Sequence, residues 1–213
     1  GTLGNTVQDN ITRLGTVTQG SIGSAVTGNW GLRLLETKTI SGTPTTFDMG
    51  SASIFSSTYD TYKIIFNDLM FNDDSNLYLR FIVADTGLVD SSDYDYSAKG
   101  FSANNDSSQA SSDISSILQI NSFTIKGVNT AIQGACGEII IPNPSNATSA
   151  KFIYGRIAYL NSSAFTSMTI FSGGLAQDAE NAHQKALTGI RFGQHSDHTY
   201  TRGTLRLYGV INA

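Results

Sequence analysis

The C-terminal segment of the chain carries the pattern that most constrains its fold. Residues 204–211 alternate between two sets of side chains, and the apolar set comprises Leu205, Leu207, Gly209 and Ile211. Because successive side chains of a β-strand point to opposite faces, this period of two predicts a strand with one buried face. Similar short segments precede it, separated by turn-forming residues, at 62–66, 77–82, 121–125, 137–141, 151–159, 167–171 and 187–192.

Strand patterns without intervening helices predict an all-β domain. Val, Ile, Thr, Tyr and Phe dominate the apolar segments, and these residues favour strands. With 39% hydrophobic and only 14% charged residues, the composition excludes intrinsic disorder. About eight strands in a domain of this size predict an antiparallel β-sandwich of jelly-roll type. The side chains expected in its core are Phe66, Leu79, Phe81, Ile140, Ile153, Phe192, Leu205 and Leu207.

Residues 1–31 differ from residues 32–213, which we predict to form the β-sandwich head domain. Val7, Ile11 and Leu14 are spaced as on one face of a short helix, and a Thr/Gly/Ser-rich stretch follows them. One copy of this segment has too little apolar surface to fold alone, whereas three copies wound about one axis would bury it. The segment is therefore predicted to be the stalk of a homotrimer, and a flexible linker is the alternative.

Charge and motif content argue against several classes of function. The formal net charge is −4 and the 13 Lys and Arg residues are scattered, so no nucleic-acid partner is expected. No apolar stretch approaches the roughly 18 residues of a spanning helix, so no membrane insertion is expected. The chain has no Gly-rich nucleotide loop, and its acidic clusters are typical of surface loops, so we predict neither a cofactor nor an enzyme. Cys136 is expected to be a small buried residue in a strand.

One polar cluster has metal-ligating side chains. His195, Asp197 and His198 lie between Gly193 and Gly203, in a segment rich in turn-forming residues. This context predicts an exposed hairpin tip between the last two strands, with no metal. A metal site that includes Asp197 is the alternative, and it needs a further ligand.

Residues 85–116 form the longest polar segment between strand patterns. Loops of this length in compact domains are uncommon unless they have a function or are disordered. Its aromatic residues, Tyr94, Tyr96 and Phe101, argue against disorder, and Asp93 and Asp95 lie beside them. We predict that these five residues form a receptor-binding site on an exposed loop. The alternative is that the aromatic side chains pack the loop onto the sandwich or against a neighbouring subunit.

Several segments, in this order along the chain, resemble the C-terminal domains of bacteriophage tail and head fibres. They are NITRLGTVT at 10–18, YDTYKIIFNDL at 59–69, LYLRF at 77–81, GEIIIPNP at 137–144, LTGIRF at 187–192 and GTLRLYGV at 203–210. In that family the first is a shaft unit, GEIIIPNP matches a hairpin, and the last two match a closing hairpin.

This resemblance implies a homotrimer within a virion, with other virion proteins as partners and no catalytic residues. Its expected function is that of a fibre tip that binds a bacterial surface glycan or protein. The alternative function is that of a capsid decoration or cement protein, in which the same sandwich clamps neighbouring coat subunits.

Overall fold

In the computed structural model of this chain, the residues described are 31–90, 93–104, 106–127, 134–175, 184–194 and 198–210. The predicted stalk, residues 1–31, lies outside them apart from Gly31, and so do His195, Asp197 and Ile211.

Thirteen β-strands occur in the described ranges, and these ranges contain no α-helix. The strands are β1 (Leu32–Thr39), β2 (Phe47–Met49), β3 (Thr61–Phe71), β4 (Leu77–Val83), β5 (Gly87–Leu88), β6 (Tyr94–Ser102), β7 (Ser107–Ser115), β8 (Leu118–Gln119), β9 (Ala135–Pro142), β10 (Phe152–Leu160), β11 (Thr166–Leu175), β12 (Leu187–Gln194) and β13 (Tyr200–Val210).

Two antiparallel sheets pack as a sandwich. The larger has eight strands in the order β1-β13-β3-β9-β10-β11-β6-β7, and the smaller runs β2-β12-β4-β5, with β8 also paired to β4. Phe47 of the small sheet stacks on Phe192, and its ring lies 4.9 Å from the ring of Tyr200 in the large sheet. The prediction of an all-β antiparallel sandwich is therefore confirmed.

Alternating side chains fill the space between the sheets. In β4, every second residue is buried, beginning with Leu77 and ending with Val83, as the period of two requires. Seven of the eight side chains predicted for the core are fully buried: Phe66, Leu79, Phe81, Ile153, Phe192, Leu205 and Leu207.

The prediction that Ile140 is a core residue is wrong, because in β9 it is the residues on either side of Ile140 that face the core. Ile139 and Ile141 are fully buried, whereas Ile140 is half-buried on the opposite face. An uninterrupted apolar run has no polar residue to mark the solvent side, so periodicity cannot choose between its two faces.

The predicted closing hairpin is also wrong. β12 belongs to the five-stranded sheet and β13 to the eight-stranded sheet, so the two strands do not pair with each other. By contrast, β9 and β10 do pair antiparallel, as the GEIIIPNP hairpin predicts.

Two segments have a different local structure from the predicted one. Residues 85–116 are not one long loop: β6 and β7 pair as a hairpin at the edge of the eight-stranded sheet, and their solvent face accounts for the polar composition. Residues 121–125 are not a strand, because the buried Asn121 side chain bonds the backbone of Leu77 and Phe123. Only Ile125 makes bridges there.

Candidate functional site

The outer face of the eight-stranded sheet, turned away from the five-stranded sheet, carries an unusual set of side chains for a solvent-facing surface. Register aligns its residues in rows across the strands. Phe152, Gly174 and Asp95 form one row on β10, β11 and β6, and Tyr154, Ser172 and Ser97 form the next. Phe152 and Tyr154 are 52% and 48% exposed.

These two rows form a groove that runs along β11. One wall is formed by Phe152, with Tyr154 beyond it on the same face of β10, and the other wall is polar, from Asp95 and Ser97. Adjacent strands lie about 4.8 Å apart, so the backbones of the two walls are about 10 Å apart. The groove has a volume of about 630 Å³.

Gly174 lies at the floor of the groove, where the backbone of β10 packs closely against it and leaves it buried. A Cβ at this position would lie 2.2 Å from the carbonyl oxygen of Lys151 and 2.9 Å from the Cα of Phe152, too close for any other residue without a backbone shift. The Lys151 side chain is buried beside the groove and its amine donates a hydrogen bond to the carbonyl oxygen of Ser149. Desolvation lowers the pKa of this amine.

Tyr94, predicted to be an exposed anchor, is instead a core residue, and this prediction of exposure is wrong. Its side chain is fully buried and its ring contacts the ring of Phe81 at 5.7 Å. The hydroxyl accepts a hydrogen bond from the backbone N–H of Phe81 at 2.7 Å and donates one to the carbonyl oxygen of Val89 at 2.9 Å. Burial raises its pKa well above the ordinary value. The alternative, that an aromatic of this segment packs onto the sandwich, is correct for Tyr94.

The other four predicted site residues lie apart from one another. Asp95 is exposed and lines the groove. Tyr96 is half-buried and its side chain packs against the core on the other face of β6, whereas Asp93 is half-buried just before β6. Burial raises the pKa of the Tyr96 phenol. Phe101 is 53% exposed, but it lies six residues from Asp95, which places it about 20 Å away along the strand. The five residues therefore do not form one site.

A second feature of the outer face, which we call the apolar patch, lies at the Phe101 end. It consists of Ile65, Phe101, Ala158, Met168 and Ile170. Register places Met168 between Phe101 and Ala158, with Ile170 in the neighbouring row. Met168 and Ile170 are 43% and 55% exposed.

Four charged residues lie in or beside the patch. Register places Glu138 and Arg156 between Ile65 and Ile170 and places Lys99 on the other side of Ile170, while Lys63 pairs with Glu138. The Glu138 carboxylate lies 2.5 Å from the Lys63 amine and 2.8 Å from the Arg156 guanidinium. The hydrogen bond from Lys63, assisted by the charge of Arg156, lowers the pKa of Glu138. Cys136, predicted to be buried in a strand, lies in β9 but is only half-buried beside the patch, and its Sγ accepts the Asp68 N–H at 3.4 Å.

The sequence patterns did not single out Phe152, Tyr154, Ser172 and Gly174 as residues of a site. A signal for the first two was present: residues 152–154 are apolar on both faces of the strand, whereas a strand with one solvated face alternates.

The structure gives two findings on other classes of site. Within the described ranges, no helical segment has the length and apolarity that crossing a bilayer demands. No three His, Cys, Asp or Glu side chains are placed to hold a metal ion in the part of the chain that is described, which does not include His195 and Asp197.

Comparisons of the chain with protein-family models, with curated proteins and with solved structures found no significant match to any of them.

Proposed function

We propose that this chain is a non-enzymatic virion protein, the receptor-binding head of a bacteriophage fibre, and that it works as a homotrimer. The observation that carries the proposal is the apolar patch on the outer face of a sheet whose inner face already forms the core. The ordered resemblance to phage fibre domains supports the same function and the same number of subunits.

The size of the patch supports contact with a second copy of the chain. Phe101, Met168 and Ile170 leave about half of their surfaces exposed. Taking about 150–250 Å² for a large side chain, these three residues present on the order of 230–380 Å². Apolar patches of this size on soluble proteins often mark interaction sites. A standard protein–protein interface buries about 800 Å² on each partner. Polar residues around the patch would supply the part of this area that the patch itself does not.

The proposed homotrimer is tested by light scattering coupled to size-exclusion chromatography. Three copies of 22.7 kDa give about 68 kDa for the wild-type chain. Ile170→Lys places a charge in the patch on an already exposed side chain, so the variant should fold and elute as a 22.7 kDa monomer. Ala147→Lys makes the same change in charge in an exposed loop and should leave the trimer intact. A monomeric wild type at micromolar concentration would overturn the homotrimer.

The proposed location at the tip of a fibre is tested on virions with a gold-labelled antibody against residues 32–213. Label at the distal ends of fibres, together with adsorption of the purified trimer to host cells, is the expected result. Label over the capsid shell would overturn the fibre-tip proposal and support a capsid decoration protein.

A further inference from the structure

We propose that the groove along β11 binds one sugar unit of a bacterial surface glycan. This inference rests on the proposed function as a receptor-binding head and names the chemical class of the receptor. The groove sets Phe152 opposite a polar wall of Asp95 and Ser97, with Gly174 and Ser172 on the floor between them. Tyr154 lies beyond Phe152 on the same face of β10, in the row of Ser172 and Ser97.

The two walls match the two kinds of surface on a sugar ring. A pyranose has an apolar face of C–H groups and an edge of hydroxyl groups. The exposed rings of Phe152 and Tyr154 offer flat apolar area with few rotatable bonds. The Asp95 carboxylate accepts hydrogen bonds from hydroxyl groups, and the hydroxyls of Ser97 and Ser172 both donate and accept them.

The dimensions of the groove fit a small ligand. A volume of about 630 Å³ lies within the range of roughly 300–1,000 Å³ that is usual for ligand pockets. Gly174 is the β11 member of the row in which Phe152 and Asp95 lie on opposite sides of that strand.

Charge and backbone bonding argue against other ligands. A phosphate or other anion would be repelled by Asp95, and the nearby Lys151 amine is buried and directed to Ser149. An extended peptide that adds a strand needs an open sheet edge. The floor strand β11 is paired on both sides, with β10 and with β6, so its backbone groups are used within the sheet. With an anion and an added peptide strand excluded, a neutral ligand rich in hydroxyl groups is the class that fits the groove.

The experiment uses the full-length trimer on an array of bacterial lipopolysaccharides and capsular polysaccharides that includes those of the host. The probe variants are Phe152→Ala, which removes the exposed ring, and Asp95→Asn, which removes the charge. Phe165→Ala and Asp106→Asn are matched controls, because both residues are exposed and neither lines the groove. Size exclusion and thermal melting establish that each variant is folded and trimeric.

The expected result is binding of the wild type and both controls to the same glycans, with at least a 10-fold loss of affinity for each probe variant. Equal binding by folded Phe152→Ala and wild type, or no binding of the wild type to any glycan including that of the host, would overturn the inference.

A second measurement separates this inference from the proposed function. Periodate cleaves the vicinal diols of sugars, so periodate-treated host cells should lose adsorption of the wild-type trimer. Full adsorption to periodate-treated cells, together with loss of adsorption to protease-treated cells, would mean that the head binds a protein receptor, which overturns the glycan groove and leaves the adhesin function standing. No adsorption to untreated cells would contradict the adhesin function itself.

Discussion

Removing the Tyr94 hydroxyl tests whether this aromatic is structural or contacts a partner. In Tyr94→Phe the ring stays, so its contact with Phe81 at 5.7 Å is kept. What is lost is an acceptor for the Phe81 N–H and a donor for the Val89 carbonyl oxygen, at 2.7 and 2.9 Å. Both bonds are buried, so water cannot replace the hydroxyl without entering the core.

The size of the effect follows from the two backbone groups left without this partner. A buried donor or acceptor without a partner costs about 1–3 kcal/mol, and the variant no longer has to bury a hydroxyl, which lowers the net cost. We therefore expect the free energy of unfolding to fall by about 2–4 kcal/mol. For a domain of this size each kcal/mol corresponds to about 2–4 °C, so the melting temperature should fall by roughly 5–15 °C.

Far-UV circular dichroism at one fixed protein concentration measures this change, and Tyr154→Phe is the matched control. Tyr154 is 48% exposed, so the same loss of a hydroxyl there should change stability by less than about 0.5 kcal/mol. If Tyr94→Phe melts within about 2 °C of the wild type, the reasoning fails. A stable Tyr94→Phe variant that no longer adsorbs to host cells would restore Tyr94 as a receptor contact.

Two further predictions concern the core. Ile139→Ala should cost about 2–5 kcal/mol of unfolding free energy in urea titrations, and Ile140→Ala clearly less, since only Ile139 is fully buried; equal costs would contradict the register of β9. Stability should also fall at high pH, because burial raises the pKa of Tyr94, Tyr159 and Tyr200. Above the ordinary tyrosine pKa of 10.0 the unfolded chain loses these phenol protons and the folded chain keeps them, so each affected tyrosine removes about 1.4 kcal/mol per pH unit. Lys151, whose pKa is lowered, acts in the opposite direction only up to its ordinary pKa of 10.5, so the fall should be clear in melting curves above that pH. A melting temperature that stays constant from pH 10.5 to 11.5 would contradict the burial of these phenols.

The sequence predicted the strands with one solvated face well and the remaining features poorly. β4 and β13 alternate clearly, so their inward side chains, such as Phe81 and Leu207, were assigned correctly. The pairing of strands is not predicted in this way, because alternation indicates the face on which a residue lies but not which strand is its neighbour in the sheet. The sequence pattern therefore predicts a closing hairpin, whereas β12 and β13 lie in different sheets.

The candidate site was predicted only in part for a related reason. Tyr94, Asp95 and Tyr96 look alike as members of a polar segment, but in a strand they alternate between the core and the solvent. Only the pairing of β6 with β11 and of β11 with β10 brings Asp95 opposite Phe152, which is 57 residues away in the chain. Distances of this kind are fixed by tertiary packing and have no signature in a short segment.

The uninterrupted apolar runs in β9 and β10 are the best evidence that this chain contacts another molecule. A sheet with one solvated face has strands that alternate, whereas strands buried on both faces are continuous apolar runs. β9 has the run 139–141 and β10 the run 152–154, and the two strands lie side by side in the sheet. Their inward members already fill the core, so the outward members, Ile140, Phe152 and Tyr154, contribute nothing to it. Apolar side chains at such positions leave the isolated chain less soluble, which a bound partner or ligand on that face offsets. The outer face is therefore where substitutions should change assembly and binding while leaving the free energy of unfolding of the isolated monomer nearly unchanged.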